Sequence, residues 1–241
     1  FYFIFEIHII NTADPIHVLK DHFEKLEKFK IYLNEKQFAK LYYKGENTDL
    51  TVDLPKNHIW QGGCEHTTKG LVFAANIPTE EVFCMPYKYG VNGVLSSTMP
   101  LEYNGNIIDN FKFYFENGKI VSFEAEKGYA TLENLLSSDE ASRYLGEVAI
   151  VPVSSPIYKT GLIFYNTLYD ENASCHFALG SAYPNCIKNG ENMTKEEREK
   201  AGVNDSIIHV DFMVGNDKLS IIGETESGEK ISIFKNGEWD I

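Results

Sequence analysis

The sequence predicts an α+β fold: a mixed, largely antiparallel sheet with packed helices. Short runs rich in β-branched and aromatic residues recur along the chain, bounded by Gly, Asn and Pro turn signals. Two of these runs flank Asn117-Gly118, a strong hairpin signal. Helical periodicity is confined to a few segments, and no repeat, low-complexity tract or linker divides the chain. The 241 residues are expected to form one domain, residues 1–241.

Taken in order, the opening Phe1-Tyr2-Phe3-Ile4-Phe5-Glu6-Ile7-His8-Ile9-Ile10 lacks a basic lead-in and a small-residue cleavage site. It is also too short to span a bilayer, so a buried strand is expected. Asp14-Pro15 marks a helix start, with Asp as N-cap and Pro at the first helical position. Leu19, Phe23, Leu26 and Leu33 then recur at helical spacing, carrying the helix to about residue 36. Residues 41–43 and 50–54 read as strands around Gly45-Glu46-Asn47, and residues 71–75 as a strand ended by Asn76-Ile77-Pro78-Thr79. Residues 111–115 and 120–125 form the hairpin. A helix is expected near residues 131–136 and another from Ser138 towards Glu147. Thr194-Lys195-Glu196-Glu197 is a capping box, and Gly202 closes its helix. Strands follow at 207–214, 218–222 and 231–234.

Hydrophobic content of 43% and charged content of 24% are ordinary for a globular domain. The net charge of −13 argues against nucleic acid, since phosphate binding needs clustered Lys and Arg. It serves solubility, and it means that clustered carboxylates are held more easily with cations bound. Cys64, Cys84, Cys175 and Cys186 show no C-x-x-C spacing, so reduced thiols in a cytoplasmic protein are expected, with no membrane partner.

The most informative stretch is His209-Val210-Asp211. On a strand, Ile208, Val210, Phe212 and Val214 share one face, while Ile207, His209, Asp211 and Met213 share the other. An imidazole and a carboxylate side by side suit a metal; a solvated edge strand is the alternative. His176, in Asp170-Glu171-Asn172-Ala173-Ser174-Cys175-His176, and the glutamates of Pro78-Thr79-Glu80-Glu81-Val82-Phe83 and Leu145-Gly146-Glu147-Val148-Ala149 extend this set. Mixed nitrogen and oxygen donors suit zinc, cobalt, manganese or magnesium, and the carboxylates favour more than one ion. Cys175 beside His176 is not read as a nucleophile: neighbours on a strand face opposite ways, and no cysteine-hydrolase signature is present.

These segments, together with Asn47-Thr48-Asp49-Leu50-Thr51-Val52, Ser154-Ser155-Pro156-Ile157 and Gly161-Leu162, occur in the order found in the thermophilic metallo-aminopeptidases. The chain resembles that family, the aminopeptidase T, aminopeptidase S and PepS type, over residues 14–214. Family members are longer, so the chain is expected to be the C-terminal, metal-bearing catalytic portion, without the family's N-terminal α/β domain. The resemblance implies Glu81, Glu147, His176, His209 and Asp211 as metal ligands, with Glu171 as a further one and Tyr183 in the active site. It also implies two divalent ions, peptide substrates, and a homodimer in the full-length family.

The implied chemistry is release of N-terminal amino acids by a metal-activated water, with one ion able to take the substrate's free amino group. Glu147 or Asp211 bridges the ions in this reading, Tyr183 donates to the oxyanion, and Glu171 or Glu80 serves as general base. Glu80 is the weaker of those two, since on a strand it points away from Glu81 and reads as a solvated or supporting carboxylate. The rival readings are a metal-binding module without activity and a dinuclear phosphoester hydrolase. The latter needs basic residues near the metals, and only Arg143 and Lys159 lie close in sequence.

Overall fold

Helix α1 (Pro15–Lys36) starts where the Asp14 side chain accepts the His17 backbone N–H at 3.1 Å. It ends at Gln37, a left-handed residue whose N–H returns to the Leu33 carbonyl, and it buries Leu26 and Leu33. The structure, a computed structural model, describes residues 7–8 and 11–241, so the strand expected at the start of the chain lies outside the described residues apart from Ile7 and His8.

Strands β1 (Lys40–Lys44) and β2 (Asp49–Asp53) pair antiparallel and bury alternate residues, as period-2 side-chain alternation requires. Short strands β3 (Gln61–Gly62), β4 (Cys64–His66), β5 (Val72–Ala74) and β6 (Val82–Cys84) follow, then β7 (Val91–Ser96) and β8 (Leu101–Tyr103). The long hairpin β9 (Asn106–Glu116) and β10 (Lys119–Lys127) turns at Asn117 and Gly118, which have φ of 49° and 83°. A Cβ at Gly118 would also lie 1.8 Å from the Lys88 carbonyl oxygen, so both conformation and space call for glycine there.

Helix α2 (Tyr129–Leu135) leads to β11 (Leu145–Ile150). The helix expected from Ser138 towards Glu147 is corrected here: only a 3₁₀ turn, Glu140–Arg143, forms, and Glu147 lies on β11. A capping box of Asp139 and Ser142 closes that single turn. Beyond it, Gly146 lets β11 approach the Gly180 and Ser181 carbonyls, where a Cβ would sit within 2.5 Å, and β-branched Val148 and Ile150 complete a buried strand. Helices α3 (Pro156–Lys159) and α4 (Thr167–Asp170) precede β12 (His176–Gly180); α5 (Lys195–Ala201) carries the capping box at Thr194 and Glu197. The chain continues as β13 (His209–Met213), β14 (Ser220–Glu224), β15 (Lys230–Lys235) and β16 (Glu238–Trp239).

Among the described residues the strands form a nine-stranded sheet in the order β10-β9-β7-β2-β1-β14-β15-β16, with β8 also on β9. A five-stranded sheet runs β13-β12-β11-β6-β3, and β4-β5 stands apart. Pairing is antiparallel throughout. The two large sheets meet in an aromatic core: Phe212 of β13 lies 5.7 Å from Phe111 and 5.3 Å from Phe113 between ring centroids, and Phe177 of β12 lies 5.1 Å from Tyr43 of β1. No described helix is long and apolar enough to cross a membrane.

Candidate metal centre

Strand register builds the site. On β13, β12 and β11 the residues Asp211, Ala178 and Glu147 lie opposite one another in a single row. In the next row Met213, His176, Ala149 and Phe83 are aligned across four strands, and His209 pairs with Gly180. Because side chains two apart share a face, His176, His209, Asp211 and Glu147 all project from one face. Glu81, two residues before Phe83, joins them. The opposed positions Ala149, Ala178 and Gly180 are small, which leaves room for the ligating groups. The other face carries Val82, Cys84, Val148, Ile150, Phe177, Leu179 and Phe212, all buried, and packs in the core. Val210 and Ile208 pack on that core from the strand end, partly buried.

The side chains converge in two overlapping groups: Glu81, Glu147 and His176, and Glu147, His209 and Asp211, each with its potential ligand atoms within 4.8 Å of one another. Glu147 belongs to both. One of its oxygens lies 3.4 Å from His176 Nε2 and the other 3.8 Å from His209 Nε2. His176 Nε2 is also 3.1 Å from Glu81 Oε2, and His209 Nε2 is 3.4 Å from Asp211 Oδ1. Each imidazole is oriented from behind: His176 Nδ1 faces the Ser174 carbonyl at 3.2 Å and His209 Nδ1 the Ser181 carbonyl at 2.7 Å. An Nδ1–H donated to a carbonyl leaves Nε2 with its lone pair towards the centre, the arrangement of a metal-binding histidine.

The electrostatics agree with a cation site. Burial pushes the Glu147 carboxyl up, to about 7, with the neighbouring Glu81 and Asp211 adding to the rise against His176. Burial alone would depress both histidines, yet the carboxylates outweigh it: His176 is raised well above its ordinary value, and His209 to about 9. Burial likewise works against the Asp211 carboxylate, but His209 and His176 hold its value down. Three atoms of the cluster, Glu81 Oε2, His176 Nε2 and Asp211 Oδ1, are buried without a hydrogen bond of good geometry. Buried polar atoms are rarely left so, and divalent ions would satisfy all three. The donor set fits.

A cleft of about 270 Å³ opens onto this centre, with Gln61, Gly62, Thr79, Phe83, Tyr183 and Asn185 among its walls. Glu171 lines the same cleft, but its carboxylate belongs to neither ligand group. Burial raises it to about 8, the surrounding carboxylates reinforcing the effect against His176. The Tyr183 ring stands 4.8 Å from the His209 ring, its phenol pushed up to about 12 by burial and the nearby carboxylates. It is therefore a hydrogen-bond donor at neutral pH. Glu80 turns away from the cleft. It is buried, not solvated, lies 3.5 Å from His22 Nε2, and is raised to about 8 by burial. Cys175 is fully buried, with its thiol pushed up to about 12 by burial, as expected of a packing residue. All four cysteines are free.

Sequence reasoning missed Gln61 and Gly62. Gly62 has φ 134°, and a Cβ there would come 2.5 Å from the Glu81 carbonyl oxygen, so its signal was a glycine with no turn to explain it.

Comparisons with known proteins give the chain's family. The thermophilic metalloprotease family, M29, matches residues 1–239, and the chain belongs to that family. Relatives include aminopeptidase 2 of Geobacillus stearothermophilus, 50% identical over 98% of this chain and 57% of its own length. Aminopeptidase AmpS of Bacillus subtilis is also 50% identical, over 98% of this chain and 58% of its own length. The solved structure of wild-type AmpT from Thermus thermophilus superposes with a TM-score of 0.89 at 40% identity, covering 94% of this chain and 56% of that one. The chain thus spans under three-fifths of the curated relatives it matches.

Proposed function

We propose that residues 1–241 form the metal-binding catalytic domain of a metal-dependent aminopeptidase that releases N-terminal amino acids through a dinuclear centre. The observation that carries this reading is Glu147, which offers one oxygen to each of two ligand groups. Glu81 and His176 would complete one ion's shell, and His209 and Asp211 the other's. Divalent ions held there, whether zinc, cobalt, magnesium or manganese, supply Lewis acidity, polarising the scissile carbonyl and lowering the pKa of water.

The chain's own residues do the rest. Glu171, within the cleft but outside both ligand groups, accepts the proton of the attacking water once bound cations offset the carboxylate charge that helps to raise it, and passes that proton to the leaving amine. Tyr183 donates its hydroxyl to the developing oxyanion. The charged residues lining the cleft are Glu65, Glu81, Glu147, Glu171, His209 and Asp211, with no Lys or Arg among the described lining residues. Such a cleft favours a substrate's cationic amino terminus and disfavours a phosphate, which argues against phosphoester hydrolysis.

Metal content measured together with hydrolysis of aminoacyl-p-nitroanilides tests the proposal. Two bound ions with release of p-nitroaniline are expected. Two ions without hydrolysis would instead support a metal-binding module that lacks activity, and hydrolysis unaffected by chelation would refute the metal-dependent reading.

A further inference from the structure

Glu81 is the one proposed ligand that lies outside a strand: it immediately precedes Val82, the first paired residue of β6, and no sheet ladder holds the segment before it in place. Two side chains from other elements do so. From one side, His22 of α1 places Nε2 2.7 Å from the Thr79 carbonyl oxygen and 3.5 Å from Glu80 Oε1. From the other, the Glu80 backbone N–H donates to Asn172 Oδ1 at 2.7 Å. Asn172 is itself anchored: its amide donates to the Leu168 carbonyl at 2.9 Å, and its own carbonyl accepts from the Ser155 hydroxyl at 2.7 Å. Asn172 is buried and His22 mostly so, and neither touches the ligand groups directly.

We propose that His22 and Asn172 are positioning residues of the metal centre, gripping the single Thr79–Glu80 peptide group by its carbonyl and its N–H so that the Glu81 carboxylate is aimed at His176 and Glu147. This rests on the metal-centre reading above. The consequence is asymmetric. The group of Glu81, Glu147 and His176 depends on the grip, while the group of Glu147, His209 and Asp211 is held by strand register. Asn172 also follows Glu171 in sequence, so the same side chain ties the wall that carries the general base to the wall that carries Glu81. Loss of partners that orient ligands typically costs about 10–100-fold in metal affinity.

The test is titration of the metal-free protein with Co²⁺, followed by visible absorption and calorimetry, in wild type, His22→Ala, His22→Gln and Asn172→Ala, with thermal melts of each metal-free form. Wild type is expected to bind two equivalents. His22→Ala and Asn172→Ala should weaken one equivalent by about 10–100-fold and leave the other unchanged. His22→Gln, whose amide nitrogen can occupy the Nε2 position, should restore much of the loss. Wild-type affinity for both equivalents in His22→Ala and Asn172→Ala overturns the inference while leaving the metal centre standing. Equal weakening of both equivalents together with a lowered metal-free melt in all three variants also overturns it, because that is the mark of general support for the fold. Failure of wild type itself to bind Co²⁺ overturns the metal-centre reading and, with it, this inference.

Discussion

Replacing Glu147 with Gln is expected to remove both ions at once, because its two oxygens face different histidines in different ligand groups. Glutamine keeps the volume of the side chain but surrenders the charge that both groups share. The size of the effect follows from linkage: an ion present at a hundred times its dissociation constant stabilises the folded chain by about 2.7 kcal/mol. In a chain of this length, 1 kcal/mol moves Tm by about 2–4 °C. One ion should therefore raise Tm by about 5–11 °C and two ions by about 11–22 °C. Wild type is expected to show the larger rise. Glu81→Gln and His209→Ala, each of which damages one group, should show roughly half of it, and Glu147→Gln almost none. Calorimetric melts with and without metal, paired with metal content after gel filtration, measure both quantities. A Glu147→Gln protein that still carries one ion and half the thermal gain would show that Glu147 serves a single group, and the shared-carboxylate reasoning would fail.

Tyr183→Phe should leave metal content intact and lower kcat by on the order of 10²–10³, the usual cost of one oxyanion donor; depleted metal at unchanged kcat would make Tyr183 a ligand instead. Gly62→Ala should push β3 against the Glu81 carbonyl, where its Cβ would lie 2.5 Å away, and lower the bound metal from two equivalents towards one. Unchanged stoichiometry refutes that expectation. Asp139→Ala removes a side chain that accepts the Ser142 and Ile207 amides and the Ser206 hydroxyl, and should cost about 0.5–2 kcal/mol at pH 7. Partial burial works against the Asp139 carboxylate, but those donors hold its value below 3.8. Its stabilisation is thus present above pH 3.8 and fades as pH falls through the lower folded value, so the gap between the melting temperatures of variant and wild type should narrow as pH falls below 3.8.

Local chemistry alone determined several elements of this protein. Asp14-Pro15 set the start of α1, Thr194 and Glu197 capped α5, and Asn117-Gly118 closed the hairpin, because capping and turn preferences act within a few residues. The period-2 pattern around His209 and Asp211 likewise put both on one strand face, and the ordered motifs supplied the family. The Ser138 stretch was expected to be helical as far as Glu147, but it closes only one 3₁₀ turn, capped by Asp139 and Ser142. Glu147 lies instead on a strand paired with β12, where Gly146 meets the Gly180 and Ser181 carbonyls, a contact between segments well apart in sequence.

Tertiary structure alone decided how the candidate ligands divide into groups. Glu147 and Asp211 were equivalent bridging candidates in the sequence. They become distinct once β11 and β12 pair, because that register sets Glu147 between His176 and His209. Glu171 and Glu80 were both candidate bases, and only packing put one in the cleft and turned the other towards His22. Side-chain periodicity is fixed by the backbone of a single segment and can be read along the chain. Which carboxylate meets which imidazole depends on distances between segments brought together by folding.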